Sequence, residues 1–175
     1  GCKEYEQDPQ DKKEVTVGGK NRLWFERGMF IHSRADNFDT GETAWASGGS
    51  ALFDRNKWLE IGGFDKRFYP AYWEDIDLSF QARVRGWRVL FCAEAEVDHF
   101  HETTNQSVFG LRRINLMSWK NGFLFAWKNM SIRQWPLHLV WLPYHLTMTN
   151  LKTNGLVGQG FFQAIMSRLL MYEKV

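Results

Sequence analysis

The acidic residues of this chain stop abruptly at one point in the sequence. Residues 1–102 hold 14 Lys and Arg against 19 Asp and Glu, and residues 103–172 hold no acidic residue at all. Seven basic residues lie in that second stretch, namely Arg112, Arg113, Lys120, Lys128, Arg133, Lys152 and Arg168. Two parts with different surroundings are therefore expected within 175 residues, a length that supports one domain or a small domain with an appendage.

The two parts also differ in the secondary structure that their hydrophobic periodicity predicts. Strands and helices alternate up to residue 101, whereas later residues predict helices only, so we expect an α/β domain followed by a helical tail. The predicted organisation is a flexible polar lead-in over residues 1–20, an α/β part over 21–104 and a basic, aromatic, helical tail over 105–175.

Local signals mark the ends of the predicted elements. Residues 21–33 predict strand or edge structure, and residues 51–53 predict a short buried strand. Asp54 is suited to cap a helix that Gly62 ends, because glycine readily adopts the left-handed conformation. Further strands are predicted at 87–91 and 96–101, and helices at 73–85, at 107–129 with a break near Gly122, at 132–150 and at 160–174.

Three carboxylates open the predicted helix 73–85. Glu74, Asp75 and Asp77 lie in its first turn, after the aromatic segment FYPAYW at residues 68–73. The simplest interpretation is structural, because acidic residues favour helix N-termini. The alternative is functional: flat aromatic faces beside carboxylates suit a sugar ring, and the helix dipole would keep one carboxylate ionised as a base for a hydroxyl group.

Four short motifs around this cluster occur in a definite order. They are WASGGSALF at residues 45–53, GGFD at 62–65, WEDIDL at 73–78 and GWRVL at 86–90. Together they resemble the C-terminal, acceptor-side half of a family 2 glycosyltransferase of the GT-A fold, especially its bacterial rhamnosyltransferase-like members. The resemblance covers residues 44–103 and extends more weakly into the tail. It implies a partial GT-A, Rossmann-like nucleotide-diphospho-sugar transferase fold.

The resemblance also implies an activity and assigns roles within the carboxylate cluster. The activity is inverting transfer of a sugar from a nucleotide-sugar donor to a glycan or lipid-linked acceptor. Asp75 would be the general base that takes the proton of the acceptor hydroxyl. Glu74 would bind the acceptor or orient Asp75, and Asp77 would be structural.

Glycines and tryptophans supply the expected substrate contacts. The resemblance implies that backbone approaches the sugar at Gly48 and Gly49, where a Cβ would obstruct it. Trp73 and Trp45 are candidates for stacking on a sugar ring. Plain core packing is the competing interpretation of Trp45, since buried tryptophans are common.

Two histidines lie in the last predicted strand, at residues 96–101. His99 and His101 are two residues apart, so on a strand they point to the same face. Carboxylates with imidazoles suit a divalent cation such as Mn²⁺ or Mg²⁺, although a His-x-His pair is more often structural. The resemblance implies that His99, which ends the segment EAEVDH, contacts the metal or the donor diphosphate, with His101 as the second candidate.

The resemblance further implies a donor-binding half with an Asp-x-Asp motif, which this sequence does not show. Only 44 residues precede Trp45, where the first of the four motifs begins, and the Asp-x-x-Asp segments at 8–11 and 36–39 have the wrong spacing. We expect this chain alone neither to bind a nucleotide-sugar tightly nor to turn over. Micromolar binding of a UDP- or TDP-sugar in calorimetry would contradict that expectation.

The basic, aromatic tail has several interpretations. Residues 132–148 are its most apolar part, but Arg133, Pro136, His138 and Pro143 make them a poor membrane span. A helix lying on an anionic membrane surface fits better, and a helical bundle packed on the α/β part is the competing interpretation. No motif supports nucleic-acid binding.

These patterns predict a bacterial, metal-dependent glycosyltransferase fragment of surface polysaccharide synthesis, cytoplasmic or peripheral on the inner face of the cytoplasmic membrane. The competing hypothesis is a non-catalytic remnant, or a glycan- or membrane-binding module, of a split glycosyltransferase. A metal hydrolase built on the same carboxylates and histidines is a weaker third hypothesis, because no hydrolase ligand spacing occurs.

Overall fold

The computed structural model describes residues 1–7, 15–99 and 107–172. The chain divides into two units. The first unit is Gly1–Leu23, His32–Asp65 and Glu74–Val108, and the second is Trp24–Ile31, Lys66–Trp73 and Phe109–Val175. Strands and helices mix in the first unit and helices dominate the second, which confirms the predicted α/β class with a helical tail.

Six strands occur in the described residues. They are β1 (Cys2–Gln7), β2 (Val15–Gly18), β3 (Asn21–Glu26), β4 (Met29–Arg34), β5 (Gly41–Glu42) and β6 (Leu90–His99). Four of them form a sheet in the order β2-β1-β6-β5, in which β1 and β6 run parallel and the other pairs antiparallel. β6 is one strand where the sequence predicts two, and its pairing with β1 shifts register between Cys92, the partner of Cys2, and Glu96, the partner of Lys3.

Residues 1–20 are predicted to be a flexible lead-in, but the structure has two strands there, β1 and β2. The polar residues of this segment do not show the alternation typical of a strand. β1 forms nevertheless, because it pairs with β6, which lies far away in the sequence. Lys3 of β1, for example, pairs with Glu96 of β6 at 3.4 Å between Nζ and Oε1. Strand formation depends on such cross-strand neighbours more than on intrinsic preference.

Strands β3 and β4 form a two-stranded hairpin, which confirms the strand prediction for residues 21–33. Exposure alternates residue by residue along β3, as expected for a strand with one covered face. The connecting turn places Arg27 and Gly28 in the left-handed region, with φ of 47° and 77°.

The helix α1 (Arg55–Ile61) has the predicted ends. The Asp54 carboxylate accepts hydrogen bonds from the backbone N–H groups of Asn56 and Lys57 at 2.9 and 3.1 Å. Gly62 ends the helix with φ of 96°. Residues 51–53 form no strand, and Leu52 is fully exposed, so that prediction is wrong; apolar composition alone does not supply a pairing partner.

The helix α2 (Glu74–Val84) confirms the helical period predicted for residues 73–85. The second unit continues with a 3₁₀ turn at Lys66–Phe68 and the helices α3 (Leu111–Asn129), α4 (Gln134–Tyr144) and α5 (Leu156–Tyr172). A π-helical stretch, His145–Thr149, and one turn, Asn150–Lys152, follow α4.

α3 runs through Gly122 without the predicted break. A Cβ at Gly122 would lie 3.3 Å from the Trp73 ring, so this glycine serves close packing rather than chain reversal.

Two histidines of the second unit bind the turn between β3 and β4. His138 is 1% exposed, and its Nδ1 lies 2.7 Å from the carbonyl oxygen of Gly28. The indole N–H of Trp127 donates to His138 Nε2 at 3.0 Å, so His138 is the neutral tautomer with its proton on Nδ1. Burial lowers the pKa of His138, in line with that neutral state. His145 Nε2 lies 2.7 Å from the carbonyl oxygen of Arg27.

Candidate active site

Two backbone hydrogen bonds orient the Asp75 carboxylate in the first unit. It lies half-buried in the first turn of α2, and each of its oxygens accepts a backbone hydrogen bond. Gly48 N–H donates to Oδ2 at 3.1 Å, and Ile76 N–H donates to Oδ1 at 2.8 Å. These two bonds hold the carboxylate in one orientation while leaving each oxygen a further lone pair.

The pKa of Asp75 is raised above its usual range, chiefly because burial disfavours the charged form. The N–H groups of Gly48 and Ile76 oppose that shift, whereas the negative charge of Glu4 adds to it. A carboxylate with a raised pKa is a stronger base once ionised. Perturbed carboxylates of this kind are typical of functional sites.

Glu4 is a site-associated residue that the sequence analysis misses. It is 7% exposed on β1, and it accepts a hydrogen bond from Arg34 Nη2 at 3.1 Å and another from the Ser50 hydroxyl. Because Ser50 follows the Gly48-Gly49 turn, these bonds tie that turn to the sheet. Glu4 lies in the segment predicted to be a flexible lead-in, and its neighbours in the sequence do not indicate a role at the site.

The Gly48-Gly49 turn contacts α2 through Gly48. A Cβ at Gly48 would lie 3.4 Å from the Phe64 ring and 3.6 Å from Asp75 Cβ, which is close but not forbidding. The preceding loop is anchored as well, because Ala46 N–H donates to Ser79 Oγ on α2 at 3.1 Å. Gly48 thus orients the carboxylate through its backbone, and its contact with a sugar stays a prediction.

The other members of the carboxylate cluster have different surroundings. Glu74 is half-buried at the first position of α2, and Asp77 is 2% exposed. The Trp45 ring packs edge-on against His32 at 5.8 Å between centroids, and its Nε1 is buried with no hydrogen-bond partner among the described residues. The roles in acceptor binding that the resemblance implies for Glu74 and Trp45 therefore stay predictions.

Trp73 belongs to the interior of the second unit. It is 6% exposed, and its ring lies 5.0 Å from that of Phe125 between centroids. This burial favours a packing role over stacking on a sugar. In the aromatic segment before the carboxylates, it is Tyr69 that is exposed, at 78%.

Asn121 of α3 holds the backbone of that aromatic segment, and sequence reasoning misses it too. The side chain is fully buried, and its Nδ2 lies 2.8 Å from each of three carbonyl oxygens, those of Phe68, Ala71 and Tyr72. Lys120 Nζ adds a bond to the Tyr69 carbonyl at 3.0 Å. A polar residue within the apolar run NGFLFAW was the available signal.

The segment that Asn121 holds carries backbone strain. Tyr72 and Trp73 adopt φ of 85° and 76°, a left-handed conformation that costs bulky residues free energy. Consecutive strained residues persist only where the surrounding structure holds them, and they concentrate at functional sites. They directly precede Glu74 in the chain.

The two predicted metal ligands are His99 and His101, at the point where residues 15–99 end. His99 is described only as the last residue of β6, and His101 lies outside the described residues. Within residues 1–7, 15–99 and 107–172, no group of three His, Cys, Asp or Glu could hold a metal ion. The described residues therefore do not form a metal site by themselves, and the roles of His99 and His101 stay predictions.

Residues 22–122 match the family described as glycosyltransferase like family 2. Because the match covers more than half of the chain, this chain belongs to that family. The α/β unit is accordingly a partial GT-A fold, followed by a helical tail. The expected family is confirmed.

Over 55 residues the chain is 38% identical to N-acetylglucosaminyl-diphospho-decaprenol L-rhamnosyltransferase of Mycobacterium tuberculosis, both from strain CDC 1551 / Oshkosh and from strain ATCC 25618 / H37Rv. That stretch is 31% of this chain and spans only 18% of the length of these relatives. No solved structure matches the chain.

Proposed function

We propose that this chain forms the acceptor side of an inverting glycosyltransferase in which Asp75 is the general base. The observation that carries the proposal is the half-buried Asp75 carboxylate, which two backbone N–H groups orient at the start of α2. Burial raises the pKa of Asp75, and a base works best with a pKa brought nearer the working pH.

In the proposed step, an Asp75 oxygen takes the proton of the acceptor hydroxyl while that hydroxyl oxygen bonds to the anomeric carbon of the donor. The bond from this carbon to the diphosphate breaks, its electron pair leaves with the nucleoside diphosphate, and the configuration at the carbon inverts. Gly48 N–H keeps the base aimed, and Glu74 binds the acceptor or orients Asp75. Holding base and hydroxyl in a reactive geometry supplies much of the acceleration.

The substrates are proposed to be a nucleotide-sugar donor and a glycan or lipid-linked acceptor of bacterial surface polysaccharide synthesis. Family membership supports this choice, as does the name of the mycobacterial relatives, N-acetylglucosaminyl-diphospho-decaprenol L-rhamnosyltransferase. We further propose that donor binding needs residues other than those of this chain. Calorimetry of the chain with UDP- and TDP-sugars should show no micromolar binding.

A divalent cation, Mn²⁺ or Mg²⁺, is proposed to bind through His99 and His101, where it would neutralise charge on the donor diphosphate. Imidazole nitrogens favour Mn²⁺ over Mg²⁺. A titration with Mn²⁺ followed by paramagnetic broadening of histidine NMR signals tests this directly. Broadening that is unchanged in the variant His99→Ala/His101→Ala would exclude these ligands.

A peripheral location on the inner face of the cytoplasmic membrane completes the proposal. None of the helices described combines the length and hydropathy that crossing a bilayer requires. The seven basic residues of the tail, in the absence of acidic ones between 103 and 172, support contact with anionic lipid.

The decisive test of the activity compares Asp75→Asn with Glu60→Gln. Both remove one negative charge from the first unit, but Glu60 is an exposed residue of α1. Removing a general base should lower kcat/KM about 10²- to 10⁴-fold, whereas the control should stay near wild type. The assay is nucleotide release with lipid-linked and soluble glycan acceptors, in the protein that carries this chain. Equal activity of both variants would refute the assignment, and acceptor binding without turnover by wild type would favour the non-catalytic module.

A further inference from the structure

The second unit carries an apolar surface that its own fold leaves open. On α5, Val157 and Ala164 are fully buried, whereas Phe162, Met166 and Leu169 are 63%, 39% and 57% exposed. At about 100° per residue, the two sets lie on opposite faces of the helix. A surface helix of a globular protein is mostly polar on its outer face, but α5 carries large apolar residues on both faces.

Helix α4 repeats this pattern. Leu137, Leu139 and Val140 are 50%, 60% and 73% exposed around the buried His138. Between α4 and α5 runs a groove of about 360 Å³, lined mostly by apolar and aromatic side chains. Leu139 and Leu169 both line this groove and are exposed, so the groove continues into the outer surfaces of the two helices.

The charges around this apolar surface indicate what kind of partner binds there. Residues 107–172 contain no acidic side chain, and Arg168 supplies a cation within the groove lining itself. Arg133 is exposed at the start of α4, next to Ile132, which is 84% exposed. A partner must therefore offer both apolar material and negative charge. A second copy of this unit would bring further positive charge against the same surface, which is unfavourable.

We propose that α4 and α5 dock the second unit on an anionic lipid bilayer, with the groove and the exposed residues Phe162, Leu169 and Val140 in the boundary between headgroups and acyl chains. Arg168 and Arg133 then contact lipid phosphates. Helices with one face against protein and the other in lipid lie along the surface rather than across it. This inference deepens the proposed membrane location and is independent of glycosyl transfer, because vesicle binding is measured without turnover.

The experiment is flotation of the full chain with vesicles of phosphatidylcholine alone or with phosphatidylglycerol added, at low and high salt. The test variant is Phe162→Gln/Leu169→Gln, and the control is Leu59→Gln/Val84→Gln. The four residues are 57–67% exposed, so the pairs are matched in burial but lie on different units. Loss of two apolar membrane contacts should weaken partitioning at least about tenfold in the test variant only. Circular dichroism verifies that helix content is unchanged.

Two further variants separate the contributions. Leu139→Gln/Val140→Gln on α4 should weaken binding to a similar extent, and Arg168→Gln should weaken it at low salt only, because salt screens the charge. Absence of wild-type binding to anionic vesicles would overturn the proposal, as would equal binding by the test and control pairs. Sedimentation without lipid supplies the remaining outcome: a dimer that Phe162→Gln/Leu169→Gln dissociates would assign this surface to a second copy instead.

Discussion

The two units of this chain differ in the charge of the polar groups that they cover. In the first unit the covered polar groups include carboxylates, among them Glu4, Asp75 and Asp77, and backbone or side-chain donors satisfy Glu4 and Asp75. In the second unit covered polar groups such as Asn121 and His138 are neutral, while apolar residues are exposed on α4 and α5. Since a buried charge is costly unless chemistry or pairing requires it, the covered carboxylates support the proposal that the first unit carries the reaction, and the exposed apolar residues of α4 and α5 support the proposal that the second unit binds a membrane.

Acidity should act on the two units with opposite signs. Burial raises the pKa of Asp75, so its charged form destabilises the folded first unit as pH rises through that raised pKa. Burial lowers the pKa of His138, so the second unit loses stability as pH falls below the ordinary value of 6.5. The activity, which needs ionised Asp75, should fall about tenfold per pH unit below its pKa.

Hydrogen exchange measured across the acidic and neutral range resolves the two units separately. The variants Asp75→Asn and His138→Gln should each remove the pH dependence of their own unit only. If both units had the same pH dependence and neither variant changed it, the opposite responses expected of the two units would be refuted.

Asn121→Ala should give the largest loss of stability. The carbonyl groups of Phe68, Ala71 and Tyr72 would lose a buried donor, and unsatisfied buried groups cost about 1–3 kcal/mol each before water relieves them, so we expect about 3 kcal/mol in total. Urea unfolding measures the loss. Asn115→Ala, an exposed position on the same helix, is the control and should be near neutral. Equal effects would mean that the second unit depends on packing alone.

Gly160→Ala tests how closely α3 and α5 pack. The added Cβ would lie 2.7 Å from Trp119 Cβ and 2.9 Å from the backbone nitrogen of Lys120, so the helices must separate. Overpacking should outweigh the helix preference of alanine and destabilise by about 2 kcal/mol. Thermal unfolding compares it with Gln163→Ala, an exposed substitution on α5. A stabilised Gly160→Ala would show that the interface between the two helices yields easily.

Asp54→Ala should have the smallest effect. It removes the two capping hydrogen bonds at the start of α1, which are worth about 1 kcal/mol. Because the cap is local to the first unit, exchange protection should fall in α1 and stay unchanged in α3. Asp54→Asn keeps a capping acceptor and should restore most of the protection.

Local chemistry made part of the site predictable from the sequence. Asp54, Gly62 and the helical period of α2 correctly located two helices, and the motif around Asp75 identified the family. Glu4 was not predictable, because its partners Arg34 and Ser50 lie dozens of residues away. For Asn121 the only signal was its polarity within an apolar run, because the carbonyl groups that it binds are also dozens of residues away. The burial of Trp73 was likewise invisible, since its ring packs on α3 through Gly122, a residue whose sequence position predicted a break instead.

The sequence by itself determined the α/β class with a helical tail, the ends of α1 and the helical period of α2, because capping and periodicity act within a few residues. It also predicted the candidate base, Asp75. The tertiary structure alone decided which carboxylate is oriented, which aromatic is exposed, and which face of α5 is left uncovered. Those outcomes depend on contacts between segments far apart in the chain, such as Gly48 with Asp75, which no local pattern encodes.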